Sequence, residues 1–271
     1  MAVVLITGGS SGIGLAIVQR LVAAGDRVFT ASRNPTRNDL PEGVTPIVLD
    51  VADPESARGA ITRVVDAAGR IDVLINNAGT MALGALEEIT DEEAHRVLEV
   101  NLFGPLRLVR AVLPIMRARG DGHIVNVSSV NDVVWPVFGG WYSASKAALT
   151  SITATLDSEV HGFGIRVTTV APGYFESEMS AGLVEQPIPE DSAYRAALEG
   201  MRAYNATRVA ADPAAVAEAV DRCIRDPDPP VRLVVGSDGV AMDQWVRDTP
   251  PSEVTALMRQ LAARLAPSDK S

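Results

Sequence analysis

The segment Tyr142-Ser143-Ala144-Ser145-Lys146 places a phenol and an ammonium group four residues apart. Side chains at this spacing lie on the same face of a helix, so the two groups can act together. A free phenol has a pKa near 10 and exchanges protons poorly at neutral pH, but a neighbouring ammonium group favours the phenolate and is expected to lower that pKa. Ser129 precedes Tyr142 by thirteen residues, and its hydroxyl could hold a carbonyl or alcohol oxygen. The alternative is an ordinary surface pair with a serine at a strand end.

A glycine-rich turn, Thr7-Gly8-Gly9-Ser10-Ser11-Gly12-Ile13-Gly14, stands between the first predicted strand and the first predicted helix. Glycines at positions 8, 12 and 14 allow a tight turn, close approach of the backbone to a pyrophosphate, and close packing of the helix on the strand. The helix would then face the phosphates with unpaired N–H groups. A flexible Gly/Ser turn is the alternative, but the position between strand and helix favours a dinucleotide site.

The end of the second predicted strand indicates which dinucleotide is bound. Sites for NAD usually carry an acid here, which binds the ribose 2′-hydroxyl. This chain has Ser32 followed by Arg33, so no carboxylate repels a 2′-phosphate, and the guanidinium can pair with one. We therefore predict NADPH over NADH, with a solvated loop arginine as the alternative. Asp50 and Asn77-Ala78-Gly79 also follow predicted strands, where a helix cap and a turn are the alternative roles.

Short β-branched runs alternate with amphipathic stretches along the chain, and this predicts the elements that position these residues. Strands are predicted at 3–7, 28–31, 47–49, 72–76, 123–127, 165–170 and 231–235. Helices are predicted at 13–24, after Asp53-Pro54, from Thr90 to about Arg119 with a kink or break at Gly104-Pro105, at 142–161, after Asp212-Pro213, and at 251–265.

Continuous apolar strands separated by helices predict an α/β fold, namely a Rossmann-type doubly wound parallel sheet with helices on both faces. We find no linker or repeat, and expect a single dinucleotide-binding catalytic domain over 1–271. The segment 174–211 is mixed in composition and is predicted to be a helical excursion that serves as a substrate lid.

Composition excludes several classes of function. The 271 residues carry a formal net charge of −10, and an acidic chain without a basic block is a poor nucleic-acid binder. A single cysteine, Cys223, excludes an internal disulfide framework, and the three histidines lack metal-ligand spacing, so no metal site is expected. The chain has no apolar run long enough to span a membrane, and its N-terminus lacks the charged region of a secretory signal. We therefore expect a cytoplasmic protein with no nucleic-acid or membrane partner.

In their order and spacing these motifs resemble those of the short-chain dehydrogenase/reductase family, over about residues 2–180. The resemblance implies that Ser129, Tyr142 and Lys146 act together in a hydride-transfer reaction. Tyr142 would exchange the proton with the substrate oxygen, Ser129 would orient that oxygen, and Lys146 would bind the nicotinamide ribose and tune Tyr142. Asn101 would hold a water that links Lys146 to solvent. The matching positions are Thr7 to Gly14, Asp50, Asn76 to Gly79, Asn101, Ser129, Tyr142, Lys146, Pro172 and Gly173.

The resemblance also implies the cofactor set. A basic residue at the position of Arg33 commonly accompanies NADP in this family. Ser177 stands where the family usually has a threonine, which keeps the hydroxyl for the cofactor amide but not the methyl group. Ser10 and Ser11 stand where some NADP-dependent relatives carry a base, which leaves Arg33 with only Arg37 close in sequence. The predicted cofactor-binding residues are Gly8, Ser10, Ser11, Gly12, Ile13, Gly14, Arg33, Asp50, Val51, Asn77, Ala78, Gly79, Tyr142, Lys146, Pro172, Gly173, Phe175 and Ser177.

Aromatic residues and a methionine near the predicted catalytic residues indicate the substrate. Trp135, Phe138 and Trp141 lie between Ser129 and Tyr142, while Tyr174 and Met179 follow the sixth strand. We predict that these five line a pocket for a bulky, mainly apolar carbonyl or alcohol. Ordinary loop packing or a subunit interface is the alternative.

Two further functions compete with an NADP(H)-dependent reductase. One is a catalytically silent nucleotide-sensing regulator on the same fold, although such proteins typically lack the Tyr/Lys pair. The other is an NAD-dependent alcohol dehydrogenase. The family resemblance also implies a homodimer or homotetramer, assembled through helices near 95–116 and 145–160. Lys146 is one of only two lysines among 24 basic residues, and the other, Lys270, is the penultimate residue. We expect that arginine cannot replace Lys146.

Overall fold

The computed structural model describes residues 1–35, 40–179 and 188–265. Its centre is a sheet of seven parallel strands in the order β3-β2-β1-β4-β5-β6-β7. The strands are β1 (Val3–Thr7), β2 (Arg27–Ser32), β3 (Thr45–Val48), β4 (Val73–Asn76), β5 (Gly122–Val127), β6 (Ile165–Pro172) and β7 (Arg232–Val235). The chain builds outward from β1 in one direction and then returns past it to build in the other. This reversal places a crevice at the carboxyl ends of the central strands.

Helices cover both faces of the sheet, as the sequence predicts. They are α1 (Gly12–Ala23), α2 (Pro54–Ala68), α3 (Asp91–Leu98), α4 (Gly104–Arg119), α5 (Gly140–Val160), α6 (Arg195–Thr207), α7 (Ala214–Arg225), α8 (Ser237–Asp248) and α9 (Pro251–Leu265). The buried side chains of α2, α4 and α5 pack on one face of the sheet, while those of α1 and α7 pack on the other. The doubly wound Rossmann-type sheet is thereby confirmed.

The predicted helix from Thr90 to Arg119 is interrupted earlier than the sequence indicates. It begins as expected, with a capping box in which the Thr90 and Glu93 side chains satisfy each other's backbone N–H groups. One turn of π-helix over Glu99–Phe103 then separates α3 from α4, just before Gly104-Pro105. Gly104 packs so closely on Val51 that a Cβ there would lie 2.9 Å from the Val51 Cβ. The start of α4 therefore packs against the loop that follows β3.

The C-terminal third contains helices that the sequence analysis did not resolve. Helix α6 lies within the segment 174–211, of which residues 180–187 lie outside the described part of the chain, and the substrate-lid role of this segment stays a prediction. Helix α8 was not predicted, and it begins directly after β7. Among the described residues, no helix is long and apolar enough to cross a membrane, and no group of His, Cys, Asp and Glu side chains could hold a metal ion.

Candidate active site

A cleft of about 1060 Å³ opens at the carboxyl ends of the strands. It brings together almost all the predicted site residues, although they come from separate parts of the chain. The predicted residues that line it are Gly8, Ser10, Ser11, Gly12, Ile13, Gly14, Arg33, Asp50, Val51, Asn77, Ala78, Gly79, Ser129, Tyr142, Lys146, Pro172, Gly173, Tyr174, Phe175, Ser177 and Met179.

The glycine-rich turn has the geometry that its sequence predicts. Gly8 and Gly12 have positive φ angles, 67° and 49°, which side-chain-bearing residues rarely adopt. A Cβ on Gly14 would overlap the carbonyl oxygen of Gly8, so only glycine fits where α1 crosses the turn. Asn77 fixes the turn from the neighbouring strand end, because its Nδ2 donates to the carbonyl oxygens of Thr7 and Gly8, both at 3.0 Å. The turn is therefore shaped to bring its backbone close to a ligand.

Polar groups at the ends of β2 and β3 face the same cleft. The Ser32 hydroxyl is buried and has no hydrogen-bond partner among the described residues, whereas Arg33 is exposed beside it. The Asp50 carboxylate accepts a hydrogen bond from Ala52 N at 2.9 Å within a local turn, whereas the N-cap of the following helix α2 is Asp53. Arg37, the other base considered for this end, lies outside the described residues.

Tyr142 and Lys146 both lie on α5, one turn apart, and both are buried. Lys146 Nζ donates to the Val127 carbonyl oxygen at 2.9 Å and lies 5.8 Å from the centre of the Tyr142 ring. Ser129, at the end of β5, makes a side-chain hydrogen bond with Tyr142. The predicted convergence of a strand end and the following helix is therefore present.

The electrostatics of this group differ from the expectation. Burial raises the pKa of Tyr142 to about 12, and the negative charge of Asp132 adds to the rise, while the hydrogen bond from Ser129 opposes it. Burial also lowers the pKa of Lys146 to about 8, against the opposing effect of Asp132. The pKa of Tyr142 is thus raised where the sequence predicts that it is lowered, because the loss of hydration has the largest effect on it.

Asn101 lies in the π-helical turn and is fully buried, and it is not among the described residues that line the cleft. Its side chain is held by the backbone of Thr80, through Oδ1 and Nδ2 contacts of 2.8 Å each, and by the Ser145 hydroxyl at 2.9 Å. A Cβ on Gly79 would lie 3.5 Å from Asn101 Oδ1 and 3.7 Å from Lys146 Nζ. Asn101 is thus close to Lys146, and its role in holding a water stays a prediction.

A buried ion network behind the site was not identified from the sequence. The side chain of Asp132 is completely buried and receives two hydrogen bonds from Arg232, at 2.7 and 2.9 Å, and one from Thr150 at 2.7 Å. Arg232 also binds Asp243 of α8 at 2.7 Å. Asp132 follows Ser129 by three residues, so this network connects the turn after Ser129 to α5 and to β7. No local pattern reveals it, because Arg232 is 100 residues away.

The predicted aromatic wall is only partly present. Tyr174 and Met179 line the cleft, but Trp135, Phe138 and Trp141 are not among its described lining residues. Trp135 is 50% exposed, and Phe138, with a positive φ of 65°, packs edge-on against Tyr194 at 6.0 Å between ring centres. The left-handed backbone of Phe138 marks a sharp bend in the loop. The loop residues that line the cleft are instead Val130, Asn131, Val134, Pro136, Val137 and Gly139.

Comparison with known proteins agrees with this geometry. Residues 2–188 match the family model described as short chain dehydrogenase. A 3-ketodihydrosphingosine reductase of Bacteroides thetaiotaomicron is 42% identical over 175 residues, which are 65% of this chain and 64% of that relative, so the match spans somewhat less than two thirds of the relative's length.

Two solved structures extend the likeness over the whole fold. A short-chain dehydrogenase from Streptomyces avermitilis is 35% identical, with a TM-score of 0.82 and coverage of 96% of both chains. A short chain dehydrogenase from Burkholderia cenocepacia, solved in complex with NADP, is 27% identical, with a TM-score of 0.75 and coverage of 96% of this chain and 97% of the other.

The parallel sheet, the glycine turn and the Tyr142/Lys146 pair on one cleft define a Rossmann-type protein. The chain belongs to the short-chain dehydrogenase family, a family of nicotinamide-dependent oxidoreductases.

Proposed function

We propose that the protein is an NADP(H)-dependent ketoreductase or alcohol dehydrogenase, acting on the carbonyl or secondary alcohol of a bulky, mainly apolar small molecule. The observation that carries this proposal is the single cleft that the glycine turn and the group of Ser129, Tyr142 and Lys146 both line. When bound, the cofactor supplies or accepts a hydride.

Tyr142 is the acid in reduction and the base in oxidation, at its phenolic oxygen. A pKa of about 12 keeps this oxygen protonated at neutral pH, so the phenol is in the form that a carbonyl reduction requires. The Ser129 hydroxyl is hydrogen-bonded to the phenol and orients the substrate oxygen beside it. Lys146, with a pKa of about 8, is mainly charged at pH 7 and supports the negative charge that Tyr142 acquires when it gives up the proton.

The described residues fit a phosphorylated dinucleotide. The turn at Gly8–Gly14 would take the pyrophosphate, and Lys146 would hold the ribose next to the nicotinamide. Ser177 and Phe175 would lie on the nicotinamide amide. The Ser32 hydroxyl, which has no hydrogen-bond partner in the described part of the chain, and the exposed Arg33 guanidinium favour a 2′-phosphate on the adenosine ribose, since the sequence has no acid at this strand end.

The relatives support the same assignment. The Bacteroides thetaiotaomicron relative is a reductase of a keto group, and the Burkholderia cenocepacia relative is solved with NADP. Reduction of a ketone with NADPH is therefore the direction to assay first. A homodimer or homotetramer and a cytoplasmic location stay predictions, and light scattering tests the first of them.

The cofactor assignment is tested by comparing kcat/KM for NADPH and NADH in the wild type and in Arg33→Ala. A charge-assisted hydrogen bond contributes about 1.5–3 kcal/mol, so removal of Arg33 should weaken NADPH use by roughly 10- to 100-fold and leave NADH use nearly unchanged. Arg63→Ala is the matched control, because Arg63 is exposed and is not among the described residues that line the cleft. A wild-type preference for NADH would indicate the NAD-dependent alcohol dehydrogenase. Binding of either cofactor without turnover on any carbonyl or alcohol would indicate the silent regulator.

A further inference from the structure

The cleft that Tyr142 lines is also bounded by helices α6, α8 and α9, which lie beyond the residues matched by the family model. We call the lining residues between 201 and 265 the distal wall. Its apolar members are Met201, Tyr204, Met242, Met258, Leu261 and Leu265. This wall is therefore a feature of the C-terminal third rather than of the dinucleotide site.

Methionine is concentrated in this cleft. The chain has seven methionines, none of them in the undescribed ranges, and Met81, Met179, Met201, Met242 and Met258 all line the cleft. An unbranched thioether has three rotatable bonds and adapts its shape to whatever it contacts. Such a lining suits a flexible ligand that adopts many conformations better than a rigid ring system, which is bound most tightly by walls of fixed shape.

The length of the distal wall is estimated from the apolar face of helix α9. Met258, Leu261 and Leu265 are spaced three and four residues apart, so they lie along one face of the helix. Seven residues of α-helix rise roughly 10 Å. An extended aliphatic chain advances about 1.3 Å per carbon, given C–C bonds near 1.5 Å, so this face matches about eight carbons.

The wall is held in place by a close helix contact. Gly200 of α6 meets the end of α9, where a Cβ on the glycine would lie 2.5 Å from the carbonyl oxygen of Leu265. Val254 at the start of α9 is buried. Leu261, between these two anchors, is still 39% exposed although it lines the cleft. Its apolar surface is therefore available for a ligand in a helix that is fixed at both ends.

The few charged side chains of the distal wall do not favour an ionic ligand. Arg208 stacks on Tyr174, with its guanidinium carbon 3.8 Å from the ring centre, and faces Asp238 at 3.9 Å. Arg264 is exposed in the last turn of α9. Because Arg208 and Asp238 offset each other, the remaining charge of the described wall is that of Arg264, which is exposed to solvent.

We propose that the distal wall is a subsite for a long, unbranched, uncharged aliphatic chain attached to the reacting carbonyl. This inference rests on the proposed function, because it names the substrate class of the same site. It predicts a preference for straight-chain ketones over compact or polycyclic ones.

The first test is the kcat/KM of the wild type for straight-chain methyl ketones from butanone to dodecanone, with a polycyclic ketone for comparison. Each added methylene that reaches the wall should raise kcat/KM about twofold to fourfold, with a plateau once the chain exceeds the length of the wall, which is about eight carbons. No dependence on chain length, or a preference for the polycyclic ketone, would overturn the inference.

The second test uses two leucines of the same helix. Leu257 and Leu261 are both 39% exposed, but Leu261 lines the cleft and Leu257 is not among the described lining residues. Glutamine has nearly the helix propensity of leucine, so Leu261→Gln and Leu257→Gln should fold alike, as thermal melting checks. Leu261→Gln should lower kcat/KM for decanone at least about fivefold and leave butanone unchanged, because the amide must lose water against the chain. Leu257→Gln should change neither value, and equal effects of the two variants would refute the subsite.

A binding assay separates this inference from the proposed function. Failure of the wild type to reduce any ketone with either cofactor would contradict the proposed function but not the subsite. In that case a dansyl-labelled fatty alcohol is titrated into the wild type and both variants, with decanol as competitor. The subsite predicts tight, competed binding that only Leu261→Gln weakens, and identical binding in all three proteins would overturn it.

Discussion

Replacing Arg232 by methionine would leave the carboxylate of Asp132 buried without its cation. The Asp132 side chain has no exposed surface and the Arg232 side chain only 16%, and two hydrogen bonds of 2.7 and 2.9 Å join them. Breaking a buried pair by removing one partner costs about 3–5 kcal/mol. Asp132 keeps the hydrogen bond from Thr150, so we expect the lower part of this range, about 3 kcal/mol of unfolding free energy.

Urea unfolding of the purified protein measures this loss, and a surface pair provides the comparison. Arg20 is 51% exposed where it binds Asp221, so Arg20→Met should cost less than about 1 kcal/mol. Asn at position 132 removes the uncompensated charge, so the double variant Asp132→Asn with Arg232→Met should recover much of the stability that Arg232→Met loses. Equal, small losses for Arg232→Met and Arg20→Met would refute the view that this network is a stabilising part of the core.

The remaining predictions concern the cleft. Lys146→Arg should reduce kcat at least about 100-fold despite its conserved charge, because the planar guanidinium cannot occupy the position of the compact ammonium group; a near-native rate would contradict this. Gly14→Ala should abolish NADPH binding in a fluorescence titration, since its Cβ overlaps Gly8, whereas Gly59→Ala, in open space on α2, should leave binding intact. The lowered pKa of Lys146, about 8 against 10.5 when unfolded, means that the unfolded chain binds more protons between these values. Stability should therefore rise from pH 8 to about pH 10 relative to Lys146→Met, and parallel pH profiles for the two proteins would contradict this.

The parts of the site that the sequence predicts are those encoded by local spacing. Tyr142 and Lys146 are one helical turn apart, and the glycine turn is continuous in the chain, so each motif is complete within a few residues. The alternation of strands and helices that predicts the parallel sheet is read in the same way, because the hydrophobic period of each strand or helix is a local property of the sequence. The crevice then follows from the topology, since carboxyl ends of parallel strands meet at one edge.

What the sequence does not predict depends on contacts between distant residues. The pKa of Tyr142 is raised mainly by burial, which depends on how distant parts of the chain pack around the phenol. Asp132 and Arg232 meet across 100 residues. The loop with Trp135, Phe138 and Trp141 was expected to face the cleft, but the bend at Phe138 places the phenyl ring against Tyr194.

The distal wall likewise comes from three helices after residue 190, and no motif connects them. Its methionines are far apart in the sequence and only the folded chain brings them to one cleft. The site residues that the sequence predicts and those that it misses therefore differ in how far apart the contacting residues lie in the chain. They do not differ in chemical type.

The central claim is that Tyr142 transfers the proton to or from the substrate oxygen. Turnover of a ketone with NADPH by Tyr142→Phe, measured together with the NADPH dissociation constant, tests it most directly. A general acid contributes about 100- to 10,000-fold, so we predict a loss of kcat in that range while NADPH binds as in the wild type. A variant with near-native kcat would contradict the account, because the phenolic oxygen would then have no part in the reaction.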